Sequence, residues 1–89
     1  MKTISICFYF KGVGHANISI FPSEGIEPYL QESPGCKEIL FENGYYLLRA
    51  TGVVSIPDAT IKILLGDLEV ASLDLPVGYF SRPINFSIQ

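Results

Sequence analysis

Eighty-nine residues, 48% of them apolar and 17% charged, hold one small core and leave no room for a second. The net charge is −3, and the lysines and arginines are scattered, so nothing makes the basic footprint that nucleic acid or an anionic membrane surface requires. No stretch approaches the ~20 apolar residues of a membrane span.

The chain opens on Lys2–Phe10, where Ile4, Ile6, Phe8 and Phe10 alternate with Thr3, Ser5, Cys7 and Tyr9, the period of a strand. A signal peptide is the competing reading. The apolar run is short, broken by Thr3 and Ser5 and stopped at Lys11, and Gly14-His15-Ala16 is a poor cleavage site. The expectation is therefore synthesis in the cytoplasm without export, or incorporation into a particle. Gly12 and Gly14 turn the chain into a second strand, His15–Phe21, with Ala16, Ile18 and Ile20 on one face. Pro22-Ser23-Glu24-Gly25 reads as a turn. Ile26–Gln31 contains Pro28, which cannot donate to a ladder and so belongs at a sheet edge.

Glu42-Asn43-Gly44-Tyr45 has the composition of a two-residue type I′ hairpin, because Asn and Gly both tolerate positive φ. Counting out from that turn pairs Glu42 with Tyr45, Phe41 with Tyr46, Leu40 with Leu47, Ile39 with Leu48 and Glu38 with Arg49. Ile56-Pro57-Asp58-Ala59 fits a type I turn. Gly66-Asp67 suits a type II′ hairpin joining Thr60–Leu65 to Leu68–Leu73, which sets Leu65 against Leu68, Ile63 against Val70 and Ile61 against Ser72. A longer connection through Pro76, Gly78 and Pro83 leads to a last strand, Ile84–Ile88. No helical periodicity occurs. The fold class is all-β: residues 1–89 form a single small antiparallel two-sheet β-sandwich or jelly roll of about seven to eight strands, with no helix.

Material for catalysis is scarce. His15 is the only histidine, follows two turn glycines and is read as a solvated polar residue, so no metal site or Ser-His-Asp arrangement is expected. Gly12-Val13-Gly14 lacks the following helix start of a phosphate loop and is read as a hairpin turn. Glu38 and Glu42 lie roughly 13 Å apart on one strand, too far for a glycosidase pair. Asp58, Asp67 and Asp74 sit in or beside turns, where aspartate is common for local reasons, so calcium is not expected. Cys7 and Cys36 are too few for a disulfide framework and are read as free thiols in strands. No catalytic residue, cofactor or metal is assigned.

From Phe41 to Pro76 the turn glycines and alternation resemble the middle strands of two jelly-roll families, the C1q/TNF-like trimeric heads and the sandwich-type carbohydrate-binding modules. Any antiparallel hairpin pair shows the same pattern, so no family is recognised.

The faces carry the functional expectation. If Ile39, Phe41, Tyr46 and Leu48 face the core, Leu40, Tyr45 and Leu47 face out. If Ile61, Ile63, Leu65, Leu68 and Val70 face in, Leu64, Ala71 and Leu73 face out. Monomers seldom expose apolar patches beyond a few hundred Å². These six residues are therefore interface candidates, and the expected function is a non-enzymatic structural module. It would self-associate, with a trimer possible, or dock into a larger assembly such as a virion or surface appendage. The alternative is a carbohydrate- or other ligand-binding module, with Tyr29, Tyr79 and Phe80 as stacking candidates.

Overall fold

The computed structural model describes residues 2–22 and 27–89. Ser23–Gly25 of the expected Pro22–Gly25 turn, and Ile26 at the start of the Ile26–Gln31 segment, therefore lie outside the described residues. Eight strands follow in order: β1 (Lys2–Tyr9), β2 (Gly14–Phe21), β3 (Tyr29–Gln31), β4 (Gly35–Phe41), β5 (Gly44–Val54), β6 (Ala59–Leu65), β7 (Leu68–Leu75) and β8 (Gly78–Ile88). They form two four-stranded antiparallel sheets, ordered β4-β1-β6-β7 and β3-β2-β5-β8. The fold is the β-sandwich the alternation predicts.

The strand order contains a two-fold repeat that the sequence does not display. Adding four to each strand number turns β4-β1-β6-β7 into β8-β5-β2-β3, which is the other sheet read backwards. Each half of the chain is a folded ribbon giving two strands to each sheet. The equivalent corners of the two ribbons hold one another. Ser55 N donates to Val13 O at 2.9 Å, and Val13 N donates to Ser55 Oγ at 2.9 Å. Gly12, with φ 71°, lies so close that a Cβ there would meet Ser55 Oγ and the Ile56 side chain. Gly12-Val13-Gly14 is thus a corner between sheets, and the hairpin reading of it is corrected.

The core between the sheets is built from aromatic and aliphatic residues. Phe8, Phe10 and Phe80 gather at one end, with ring centroids 4.7 Å (Phe8–Phe10) and 6.5 Å (Phe8–Phe80) apart. Small residues opposite make room for them: Gly14 stands against the Phe10 ring, and Ala16 pairs with Gly52, which pairs with Phe80. Phe41, Tyr46 and Phe86 gather at the other end, Phe41 meeting Tyr46 at 4.9 Å and Phe86 at 5.8 Å.

That second cluster explains the largest departure from expectation. β4 pairs with β1, and β5 pairs with β2 and β8, so Glu42-Asn43-Gly44 carries the chain from one sheet to the other. The type I′ hairpin and its pairings are overturned. Glu38 faces Ser5, while Arg49 lies between Ser19 and Pro83. Phe41 and Tyr46 do touch, but across the core and not along a ladder. The Tyr46 hydroxyl donates to the Glu42 carbonyl at 2.7 Å and pins the corner, as the tyrosine corner does in other Greek-key sandwiches.

The Gly66-Asp67 hairpin forms, with Leu65 against Leu68 and φ 62° at Gly66, the sign that type II′ demands there. Its register then slips. Ile63 meets Ala71 where Val70 was expected, and Ile61 meets Leu73, because the ladder shifts at Ile63/Leu64 and leaves Val70 as an extra residue. Asp58 has φ 75°, which belongs to the third position of a type II turn and not to type I. β8 begins at Gly78, six residues before the expected Ile84, and passes through Pro83, which an edge strand tolerates.

Cys7 and Cys36 are joined in a disulfide, so the free-thiol reading is corrected. They stand directly opposite in the β1·β4 register on the outward side, with Cα atoms 4.0 Å apart. The reading failed because it sent β4 to β5 and so never placed β4 beside β1.

Candidate functional site

Each sheet has one outward face, and the two differ in charge. On the front face, that of β3-β2-β5-β8, period-2 alternation directs His15, Asn17, Ser19 and Phe21 outward from β2 and Tyr45, Leu47, Arg49, Thr51 and Val53 from β5. Tyr79, Ser81, Pro83, Asn85 and Ser87 from β8, and Leu30 of β3 opposite Asn17, complete it. Arg49 sits near its middle as the only lysine or arginine among these. Tyr45 (83% exposed), Phe21 and Leu47 mark one end, and Tyr79 (89% exposed) and Val53 the other. Shallow depressions of about 360 and 460 Å³ flank Tyr45.

The back face, that of β4-β1-β6-β7, carries Glu38, Lys62, Glu69 and Asp74 among Thr3, Ser5, Thr60 and Ser72. Lys62 Nζ lies 3.7 Å from Glu69, the one salt bridge among the described residues. Tyr9, Leu40, Leu64 and the disulfide are its less polar members.

The six interface candidates therefore separate. Tyr45 and Leu47 share the front face; Leu40 and Leu64 lie on the back. Ala71 and Leu73 turn inward and pack against the core, because the irregularity at Val70 moves every later β7 residue to the other side. Of the stacking candidates, Phe80 is buried against Phe8 and only Tyr79 stands free. Tyr29 points inward at the β3 edge, and Lys37 Nζ covers its ring at 4.2 Å from the centroid.

Lys37, Tyr29 and Gln31 close the gap between the sheets at the β3/β4 side. The Gln31 amide donates to the carbonyls of Ser33 and Gly35, both at 2.9 Å, and so fastens the corner between the two edge strands. A hollow of about 300 Å³ remains among these residues and Pro34. Burial pushes the Tyr29 phenol up to about 12. Its phenolate is disfavoured in the fold, so the stability this contributes is complete below pH ~10 and is lost as pH rises through 12. Alkaline titration at the phenolate absorbance is expected to show a step near pH 12 that is absent from Tyr29→Phe. Identical curves for the two proteins would contradict the burial.

His15 projects from the front face opposite Val53. Asp58 and Asp67 lie beyond opposite ends of β6, and Asp74 is on the back face, so the three do not converge. Among the described residues no three His, Cys, Asp or Glu side chains gather as metal ligands, and no helix is long and apolar enough to cross a membrane.

Sequence reasoning missed Arg49, which it assigned to Glu38. The signal was present in β5 itself: Tyr45, Leu47, Arg49, Thr51 and Val53 alternate without a break, as one side of a central strand does. Comparison with known proteins finds no matching family model, no matching curated protein and no matching solved structure.

Proposed function

We propose that the protein is a non-enzymatic assembly module whose front face docks on the back face of a second copy. The observation that carries this reading is the charge difference between the two faces. Among the described strand residues the front has Arg49 and no carboxylate, while the back has Glu38, Glu69 and Asp74 against Lys62 alone. A symmetric pair of front faces is disfavoured, since a two-fold axis through the middle would set Arg49 against Arg49. Docking front on back brings Arg49 to carboxylates and Tyr45 and Leu47 toward a surface bearing Leu40 and Leu64. Tyrosine and arginine are also the residues that most often anchor interfaces.

Size decides how strong the contact is. The front face is roughly 27 Å long from Tyr45 to Val53 and about 14 Å wide across three strands, or roughly 400 Å². A stable pair usually buries about 800 Å² per partner. One contact is therefore weak, and repeated contacts supply the avidity of an assembly. Because the two faces lie on opposite sides of a sandwich, successive copies extend as an open stack and do not close as a trimer.

Light scattering from concentrated solutions, up to about 1 mM, tests this. The weight-average mass is expected to climb continuously with concentration. Arg49→Glu alone and Glu38→Lys/Asp74→Lys alone should each stay monomeric, and mixing the two should restore association. A plateau at two chains would favour the symmetric pair. A single-chain mass throughout, or a mixture that stays monomeric while wild type associates, would sink front-to-back docking.

A further inference from the structure

The back face carries a feature that the assembly reading does not use. Cys7 and Cys36 are bridged across β1 and β4, but their surroundings differ. Cys7, on a central strand, is fully buried, whereas Cys36, on the edge strand β4, is exposed. Access decides which sulfur of a disulfide an external thiolate attacks, and here only Cys36 offers it.

The neighbours of the two sulfurs fit the same direction of attack. The Tyr9 hydroxyl lies 3.4 Å from Cys36 Sγ. A bridged sulfur has no hydrogen, so the phenol is the donor, and it draws electron density from the atom under attack. On its other side Cys7 faces Lys62 in the β1·β6 register, with both side chains outward. Lys62 Nζ also lies 3.7 Å from Glu69; a lysine ammonium that turns from that carboxylate to a departing thiolate stabilises it, and a stabilised thiolate is the better leaving group.

We propose that the Cys7–Cys36 bridge is a thiol-exchange site entered at Cys36, taking a low-molecular-weight thiol. The attacking thiolate forms a bond to Cys36 Sγ as the Cys36–Cys7 bond breaks, and the electron pair leaves on Cys7. The product is a mixed disulfide at Cys36 and a thiolate at Cys7. A second molecule of the thiol then attacks the sulfur of the first and releases Cys36 as thiolate. The protein disulfide is thereby reduced by two electrons, and two thiols are oxidised to one small disulfide. Lys62 acts as a positioning residue for the leaving thiolate. In a stack the back face is covered, so exchange belongs to the free chain, and the site stands whether or not stacking occurs.

The test uses glutathione in millimolar excess on the native protein at about 1 µM, with rapid alkylation and peptide mapping by mass spectrometry. The expected early product carries glutathione on Cys36 and the alkyl group on Cys7. Lys62→Gln should slow its formation several-fold and shift the pH profile without changing Tm, and Lys62→Arg should restore the rate. Glutathione found on Cys7, or no adduct until urea unfolds the chain, would overturn the proposal. A Lys62→Gln rate equal to wild type would overturn the leaving-group assignment.

Discussion

Gly52→Ala is expected to destabilise the protein by about 2–4 kcal/mol, at the upper end of what overpacking costs. Gly52 lies near the C-terminal end of β5, between Ala16 of β2 and Phe80 of β8. A Cβ there would press on the backbone of β2, at the His15 carbonyl and, 2.9 Å away, the Ala16 Cα. Neither is the tip of a side chain that could swing aside, so the β2·β5 ladder itself must open. For a domain of this size the whole folding free energy is about 4–13 kcal/mol. The loss should therefore lower Tm by roughly 8–32 °C, at about 4–8 °C for each kcal/mol. Gly66→Ala is the comparison. Its φ of 62° strains an alanine, but nothing lies within 4 Å, so about 1 kcal/mol is expected. Thermal unfolding followed by circular dichroism decides. A Gly52→Ala midpoint within a few degrees of wild type, or above that of Gly66→Ala, would mean that the two strands are not packed as described.

The parts of the fold legible in the sequence are those set by local alternation. Ile4, Ile6 and Phe8 point inward because period 2 places them there, and the same rule correctly put Tyr45 and Leu47 outside. Pairing was legible only where the connection was short and the partner local, as at Gly66-Asp67. Even there, the register after Val70 depended on an irregularity that no residue type announces. Asn43-Gly44 shows the limit most clearly. A corner between sheets and a hairpin both need residues that accept positive φ, and Gly44 has φ 156°. The composition is the same for both. What separates them is whether β4 gains more from β5 or from β1, and that depends on residues some thirty-five positions away in the chain.

The same reasoning explains the candidate site. Alternation showed which residues leave the core, but not which of them share a surface. Leu40 and Tyr45 are five positions apart and lie on opposite faces, because the corner at Glu42-Asn43 takes the chain across the sandwich. His15 and Tyr79 are far apart in sequence yet flank Val53 in one row. Arg49 parted from Glu38 only once Glu38 was placed on the other sheet. Charge asymmetry is thus a property of topology, and topology follows from non-local pairing that a single sequence does not display.

Replacing both cysteines, Cys7→Ala with Cys36→Ala, is expected to cost about 3.5 kcal/mol. The bridge spans 29 residues, and closing a loop of that length in the unfolded chain is worth roughly that much in the chain-entropy model. The native state should change little, since alanine is apolar and the Cys7 position is buried. The effect is therefore carried mainly by the unfolded ensemble, and the urea midpoint should fall by roughly 2 M at a slope of about 1.5 kcal/mol/M. A second consequence is local. β4 is an edge strand whose only ladder is with β1, so without the bridge it is held by that ladder, by half-buried Ile39 and by Phe41 in its cluster with Tyr46 and Phe86. Hydrogen exchange in the variant should quicken first at the Gly35 end of β4, away from Phe41, and last in β5, which is paired on both sides. A midpoint shift under about 0.5 M would show that the bridge does not close this loop to stabilising effect. Fraying that began at Phe41 would show instead that the aromatic cluster, and not the bridge, is the weaker hold on the strand.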